Sequence, residues 1–180
     1  MGKGLQILNG GPWSIRGQIL NLQIWSQGIY VHEVAHDYLK FWVQIHGLPQ
    51  KYINADTARD IGNRIGIVAE VEDPRMEEVL ERTFLRVKVA IDVSKPLPTR
   101  FWMDRNNLPN LWIEFKYERL QDCYCLNCGI IDHSKKECKN PTAMACWNPR
   151  EPKYSIGLGV AQARRLKPRV ERGSKGTSST

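Results

Sequence analysis

The sequence predicts an α+β fold, a mostly antiparallel sheet with a helix on one face. Three observations carry this prediction. Period-two apolar runs recur between Ile15 and Tyr117, one capped amphipathic stretch interrupts them, and the order reads strand, helix, strand, strand, strand. The 180 residues, 42% hydrophobic and 25% charged, suffice for one folded domain with a small appendage.

The first strand is expected within residues 15–25, where Leu20, Leu22 and Ile24 fall on one face after the breaker Gly10-Gly11-Pro12. Residues 26–40 read as a connector. Phe41–His46 is the second strand, ended by Gly47-Leu48-Pro49. Asn54 or Asp56 caps a helix whose Ala58, Ile61 and Ile65 share a face, and Gly66 stops it. Ile67–Val71 is a third strand, turned by Asp73-Pro74. Thr83–Val93 is a long fourth strand, alternating Leu85, Val87, Val89 and Ile91 with Phe84, Arg86 and Lys88. Leu111–Tyr117 is the fifth. The stretch from Phe41 to Val93 also has the strand and helix order that opens an RNA-recognition fold. It lacks that fold's aromatic-glycine signature, so Phe84 reads as core.

Periodicity stops after Leu120, and the charge becomes uneven. Residues 1–138 hold 17 Lys/Arg and 17 Asp/Glu, so the whole net charge of +7 sits in residues 139–180, with nine cations against Glu151 and Glu171. A neutral body with a basic tail suits a polyanion, because each neutralised phosphate releases counterions. No run approaches the roughly 18 apolar residues of a membrane span. Gln6 stands where myristoylation needs Ser or Thr, and Pro141 spoils a glycosylation signal. Five cysteines without a secretory leader argue for reduced thiols or a metal site rather than a disulfide scaffold.

Four of the chain's metal-binding residue types fall in the pattern C-x2-C-x4-H-x4-C: Cys125, Cys128, His133 and Cys138. A two-residue gap lets the backbone turn so that both thiolates reach one ion, and the histidine and third cysteine complete a tetrahedron suited to one zinc ion. Gly129 eases that turn. A segment this short buries no core, so the ion itself supplies its folding free energy. Cys123 and Cys146 lie outside the pattern and read as bystanders. Such a knuckle offers an apolar platform to an unpaired base. Leu126, Ile130 and Ile131 are its candidates, Tyr124 and Trp147 its flanking aromatics, and Lys135, Lys136 and Lys139 its phosphate contacts. Each apolar one has a plainer reading as packing around the turn, and each lysine as a solvated face. Arg164 and Arg165 of the tail would add non-specific affinity.

The runs Phe41–Pro49, Ile61–Gly66, Phe84–Val89, Ile91–Leu97 and Tyr117–Leu120 leading into the knuckle resemble the gag-like proteins of plant LINE-type retrotransposons. In that family a plant domain of unknown function precedes a C-x2-C-x4-H-x4-C zinc knuckle. The resemblance covers about residues 5–160, including Gly10-Gly11-Pro12-Trp13-Ser14. It implies binding of single-stranded RNA or DNA, self-association, and no enzymatic activity. It also implies that the amino-terminal part of the domain is missing, which would leave the sheet incomplete. Asp132 stands where the family usually has glycine, a substitution a left-handed backbone tolerates better for Asp than for most residues.

His32-Glu33-Val34-Ala35-His36 matches H-E-x-x-H, the zinc metallopeptidase signature. That chemistry needs a third ligand, and His46, the other unassigned histidine, ends a predicted strand ten residues on. The match is expected to be fortuitous. The expected organisation is therefore a gag-like α+β domain over 1–120, a zinc knuckle over 121–140 and a largely disordered basic tail over 141–180. Its expected role is single-strand binding in the nucleus or a cytoplasmic particle, without a membrane or small-molecule substrate. A zinc-stabilised protein-interaction module is the alternative.

Overall fold

Residues 2–30, 34–76, 79–121 and 123–166 are described by a computed structural model. A short helix α1 (Lys3–Asn9) leads to a hairpin of β1 (Trp13–Ile15) and β2 (Gln18–Leu20). The strand expected over 15–25 is therefore two short ones. Arg16 and Gly17, both at positive φ, reverse the chain in its middle, and beyond Leu20 the period-two residues find no sheet partner. Ile24 and Trp25 stay 70% and 66% exposed.

The main sheet begins with β3 (Tyr38–His46), three residues earlier than the sequence indicates. A 3-10 turn over Gln50–Tyr52 precedes α2 (Ala55–Ile65), which Asn54 caps by accepting from the Thr57 N–H at 2.9 Å. Gly66 ends the helix, but in extended backbone rather than a left-handed cap. Glycine is needed there because a Cβ would overlap the Ala90 carbonyl of the neighbouring strand. Then follow β4 (Ile67–Glu72), the ribbon β5 (Arg75–Met76) and β6 (Val79–Leu80), β7 (Leu85–Asp92), β8 (Arg100–Arg105), β9 (Leu108–Glu118) and β10 (Gly159–Val160). The order is β10-β9-β3-β7-β4, antiparallel except for β10 beside β9, with β8 also on β9.

One face of the sheet carries Phe41, Val43, Ile45, Val87, Val89 and Phe115, all buried, and α2 covers it with Ala58 and Ile61. The approach is close: a Cβ on Gly62 would meet Val68 and Val87. The opposite face carries a buried polar network. Arg86, 2% exposed, forks onto Glu118 at 2.9 and 2.8 Å and reaches Glu72 at 3.2 Å, while Gln44 donates to Glu118 at 3.0 Å. Its guanidinium also lies 3.9 Å over the Trp42 ring. The α1 end covers part of this face: Lys88 donates to Asn9 O at 3.2 Å and Arg119 to Gly10 O.

The stretch 141–166 is not the loose tail that its composition implies. Tyr154 and Leu158 are buried in the core cluster, and β10 pairs with β9. Further on, Arg165 pairs with Glu70 at 2.6 Å and the Leu166 N–H approaches Glu72 at 3.4 Å. Isolated apolar residues spaced among Gly and Pro leave no periodic signal, yet Tyr154 and Leu158 find places against the sheet. The rest of the expected tail, 167–180, lies outside the described residues.

Candidate metal centre

The knuckle forms a compact turn before any ligand is considered. The Gly129 N–H donates to Cys125 O at 2.8 Å and the Cys125 N–H to Ile130 O at 2.9 Å, which folds the Cys125–Cys128 pair onto one side. Ser134 and Glu137 close a second turn, from the Glu137 N–H to Ser134 O at 3.1 Å, and this turn presents Cys138. The donor atoms of Cys125, Cys128, His133 and Cys138 then lie within 4.8 Å of one another. Tetrahedral zinc, with Zn–S and Zn–N bonds of about 2.3 and 2.1 Å, spaces its ligand atoms roughly 3.6–3.8 Å apart. The separation of Cys128 Sγ and His133 Nε2, 3.4 Å, is close to that spacing. Three thiols and one imidazole at these distances fit one zinc ion.

Hydrogen bonds orient the ligands. Asn127 Nδ2 donates to Cys138 Sγ at 3.2 Å and Asn140 Nδ2 to Cys128 Sγ at 3.4 Å. His133 turns Nε2 toward the sulfurs and Nδ1 toward the Asp132 carboxylate. That is the carboxylate–histidine arrangement that fixes the ring and its tautomer at many zinc sites. Asp132, a departure from the resembling family, thus has a specific position here. The Cys138 hydrogen bond first, and Asp132 next, push His133 up to about 9. Asn127 first, and His133 after it, bring Cys138 down to about 6. Burial raises Cys125. Zinc would be held by the neutral imidazole of His133 and by cysteine thiolates, so its binding would release protons.

The knuckle is docked on the sheet. Leu97 N–H donates to Gly129 O at 3.0 Å, Tyr154 lies against Gly129, and the Tyr154 hydroxyl donates to Leu97 O at 2.8 Å. This docking decides where the expected contact residues fall. Tyr124 is a core residue, 4% exposed, with its hydroxyl on Ser155 O at 2.7 Å, so it adds little open surface to the cleft of about 610 Å³ that it helps to line. Trp147 stands away from the metal ligands, edge-on to Trp112 with ring centroids 5.2 Å apart. Leu126 and Ile131 are half-buried and pack against the core, yet both also line this cleft. Lys135 stands at the same cleft, while Lys136 and Lys139 are exposed. Arg164 is exposed with its carbonyl held by Arg82, and Arg165 is committed to Glu70.

The opposite wall of the cleft comes from Gln18, Ile19 and Asn21 of the hairpin and from His36 and Leu39 at the start of β3. Asn21 and His36 meet at 3.2 Å. Sequence reasoning did not join these residues to the knuckle because they lie far from it in the chain and, His36 apart, belong to no motif. His36 is also the second histidine of the H-E-x-x-H match, whose His32 and Glu33 lie outside the described residues. The third histidine that match would need, His46, stacks on Phe84 at 4.9 Å and contacts Gln44 at 3.1 Å. Cys123 is buried and Cys146 exposed, both outside the ligand cluster.

A zinc knuckle family model matches residues 91–140, from the last turn of β7 through the four ligands. An uncharacterized protein of Arabidopsis thaliana is 24% identical over 136 residues, covering 74% of this chain. The chain spans 41% of that relative's length. No solved structure matches.

Proposed function

We propose that this protein binds single-stranded nucleic acid, RNA or DNA, through its zinc-held knuckle, as a gag-type protein and without catalysis. The observation that carries the reading is the cleft between knuckle and hairpin. Leu126 and Ile131, fixed by the metal turn, give it an apolar wall, and Asn21 and His36 give it hydrogen-bonding groups on the other side. Its volume of about 610 Å³ falls within the ~300–1,000 Å³ range of small-ligand pockets. A splayed base stacks on such a wall and pairs its edge with such groups. Lys135, at the cleft, and the exposed Lys136 and Lys139 then meet the backbone phosphates. The nine cations of residues 139–180, set against two acids, add affinity that does not depend on sequence.

The zinc-knuckle match supports this reading, and the sequence resemblance to plant retrotransposon gag-like proteins agrees with it. Binding of a fluorescent single-stranded RNA across a salt series tests it, with zinc-loaded protein, with chelator, and with Cys125→Ser/Cys128→Ser. The affinity is expected to need zinc and to fall with a log–log salt slope of about −2 or steeper. Binding that survives chelation unchanged would assign it to the tail alone. A second reading, a zinc-stabilised protein-interaction or self-association module, is favoured by one feature: Ile24, Trp25 and Tyr30 stand 66–70% exposed in a single stretch. It predicts association without salt-sensitive RNA binding.

A further inference from the structure

Three of the chain's six tryptophans gather at the edge of the sheet, outside the metal centre. Trp102 and Trp112 are direct partners on β8 and β9, with ring centroids 4.6 Å apart, on the face opposite Phe101 and Ile113. Trp147 closes edge-on against Trp112, and the Arg100 guanidinium lies 4.2 Å over the Trp147 ring. None of the three tryptophans belongs to the buried core cluster, and Trp102 is 53% exposed. We infer that this tryptophan–arginine platform is a second binding site for unpaired bases of a single-stranded nucleic acid.

Two features favour that occupant over a protein. The first is charge. Residues 139–153, which deliver Trp147, carry Lys139, Arg150 and Lys153 against one acid, Glu151. Glu151 accepts from the Trp147 indole at 3.3 Å, and Glu114 is taken up by Arg100 at 3.4 Å. Asp104 is the acid that remains exposed on the β8 face beside Trp102. Aromatic faces interleaved with cations match the alternation of bases and phosphates along a strand.

The second is continuity with the metal centre. Thr142 donates to Asn127 Oδ1 at 2.6 Å and the Ala143 N–H to Asn127 O at 2.9 Å, and Asn127 itself holds Cys138. The loop that ends the knuckle is therefore the same one that places Trp147. The inference adds a site to the proposed function and rests on the same ligand class.

The test uses full-length, zinc-loaded protein and a fluorescein-labelled oligouridylate, with Trp102→Ala and Trp102→Tyr. Trp102 is exposed at an edge, so both variants are expected to fold, checked by circular dichroism and zinc content. Stacking on one aromatic contributes roughly five- to a hundredfold in affinity per base. Trp102→Ala is expected to weaken binding by about tenfold, and Trp102→Tyr to recover most of that loss. Unchanged affinity in Trp102→Ala, with loss on chelation, overturns the platform and leaves the knuckle reading standing. Loss in Trp102→Ala with no effect of chelation supports the platform and removes the knuckle reading. A variant that changes only the sedimenting mass overturns the platform as a nucleic-acid site and makes it a self-association surface.

Discussion

Replacing Gly129 by alanine should dissociate the knuckle from the sheet, and the structure supplies the size of the effect. Gly129 sits at φ +80°, and the three atoms nearest a Cβ built there all belong to the Tyr154 ring. That ring is 3% exposed, and its hydroxyl is tied to Leu97 O at 2.8 Å. It has no free direction in which to move. Left-handed backbone costs a non-glycine residue about 1–2 kcal/mol, and overpacking a buried contact costs about 1–3 kcal/mol more. The sum, about 2–5 kcal/mol, corresponds to a fall in Tm of roughly 5–15 °C for a chain of this size.

Gly17→Ala is the matched control for Gly129→Ala. Gly17 has φ +77° but no atom within 4 Å of a built Cβ, so only the backbone part applies. Thermal unfolding of the two zinc-loaded variants, with zinc competition by a chromophoric chelator, separates the terms. Gly129→Ala should lose more stability and more zinc affinity than Gly17→Ala. Equal losses would refute the docking of the knuckle against Tyr154.

Three further outcomes are expected. Glu118→Gln leaves the buried Arg86 guanidinium, which bonds Glu118 through two nitrogens, with Glu72 as its remaining carboxylate, and should cost about 1.5–3 kcal/mol in urea unfolding. A cost below about 1 kcal/mol would mean the network is wet. Asp132→Ala removes the carboxylate on His133 Nδ1 and should weaken zinc about 10–100-fold while leaving the ion's three sulfurs and one nitrogen in place, as zinc-edge X-ray absorption would read. Burial first, and Lys116 next, lower His46 below its ordinary value. A group depressed in the folded state contributes stability above its unfolded value, about 6.5, that is lost as pH falls through the folded one. The stability of the wild type relative to His46→Gln should therefore decline on acidification below that value, and a constant difference would contradict the burial.

The parts of the fold legible in the sequence are those where a local pattern and the tertiary environment agree. In β7, Leu85, Val87, Val89 and Ile91 alternate because one face meets α2. Asn54 marks the start of that helix because its side chain satisfies a backbone donor there. The four ligands were legible because a tetrahedral ion imposes a spacing that little else requires. β8 was not, since its Arg-Phe-Trp-Met-Asp-Arg run places large side chains on both faces of an edge strand. Tyr154 and Leu158 are single apolar residues in a polar stretch, and only the finished sheet gives them a place. Aromatic identity alone could not separate Tyr124, 4% exposed, from Trp102, which is open to solvent.

The most direct test of nucleic-acid binding at the metal centre is methyl NMR of the zinc-loaded protein, followed during titration with a single-stranded oligonucleotide. The methyl groups of Leu126 and Ile131, which line the cleft beside the zinc ligands, should shift together with Ile19 on the opposite wall, and chelation should abolish the response. Shifts that leave all three residues unmoved while the oligonucleotide binds would contradict the assignment of the cleft as the site that reads a base.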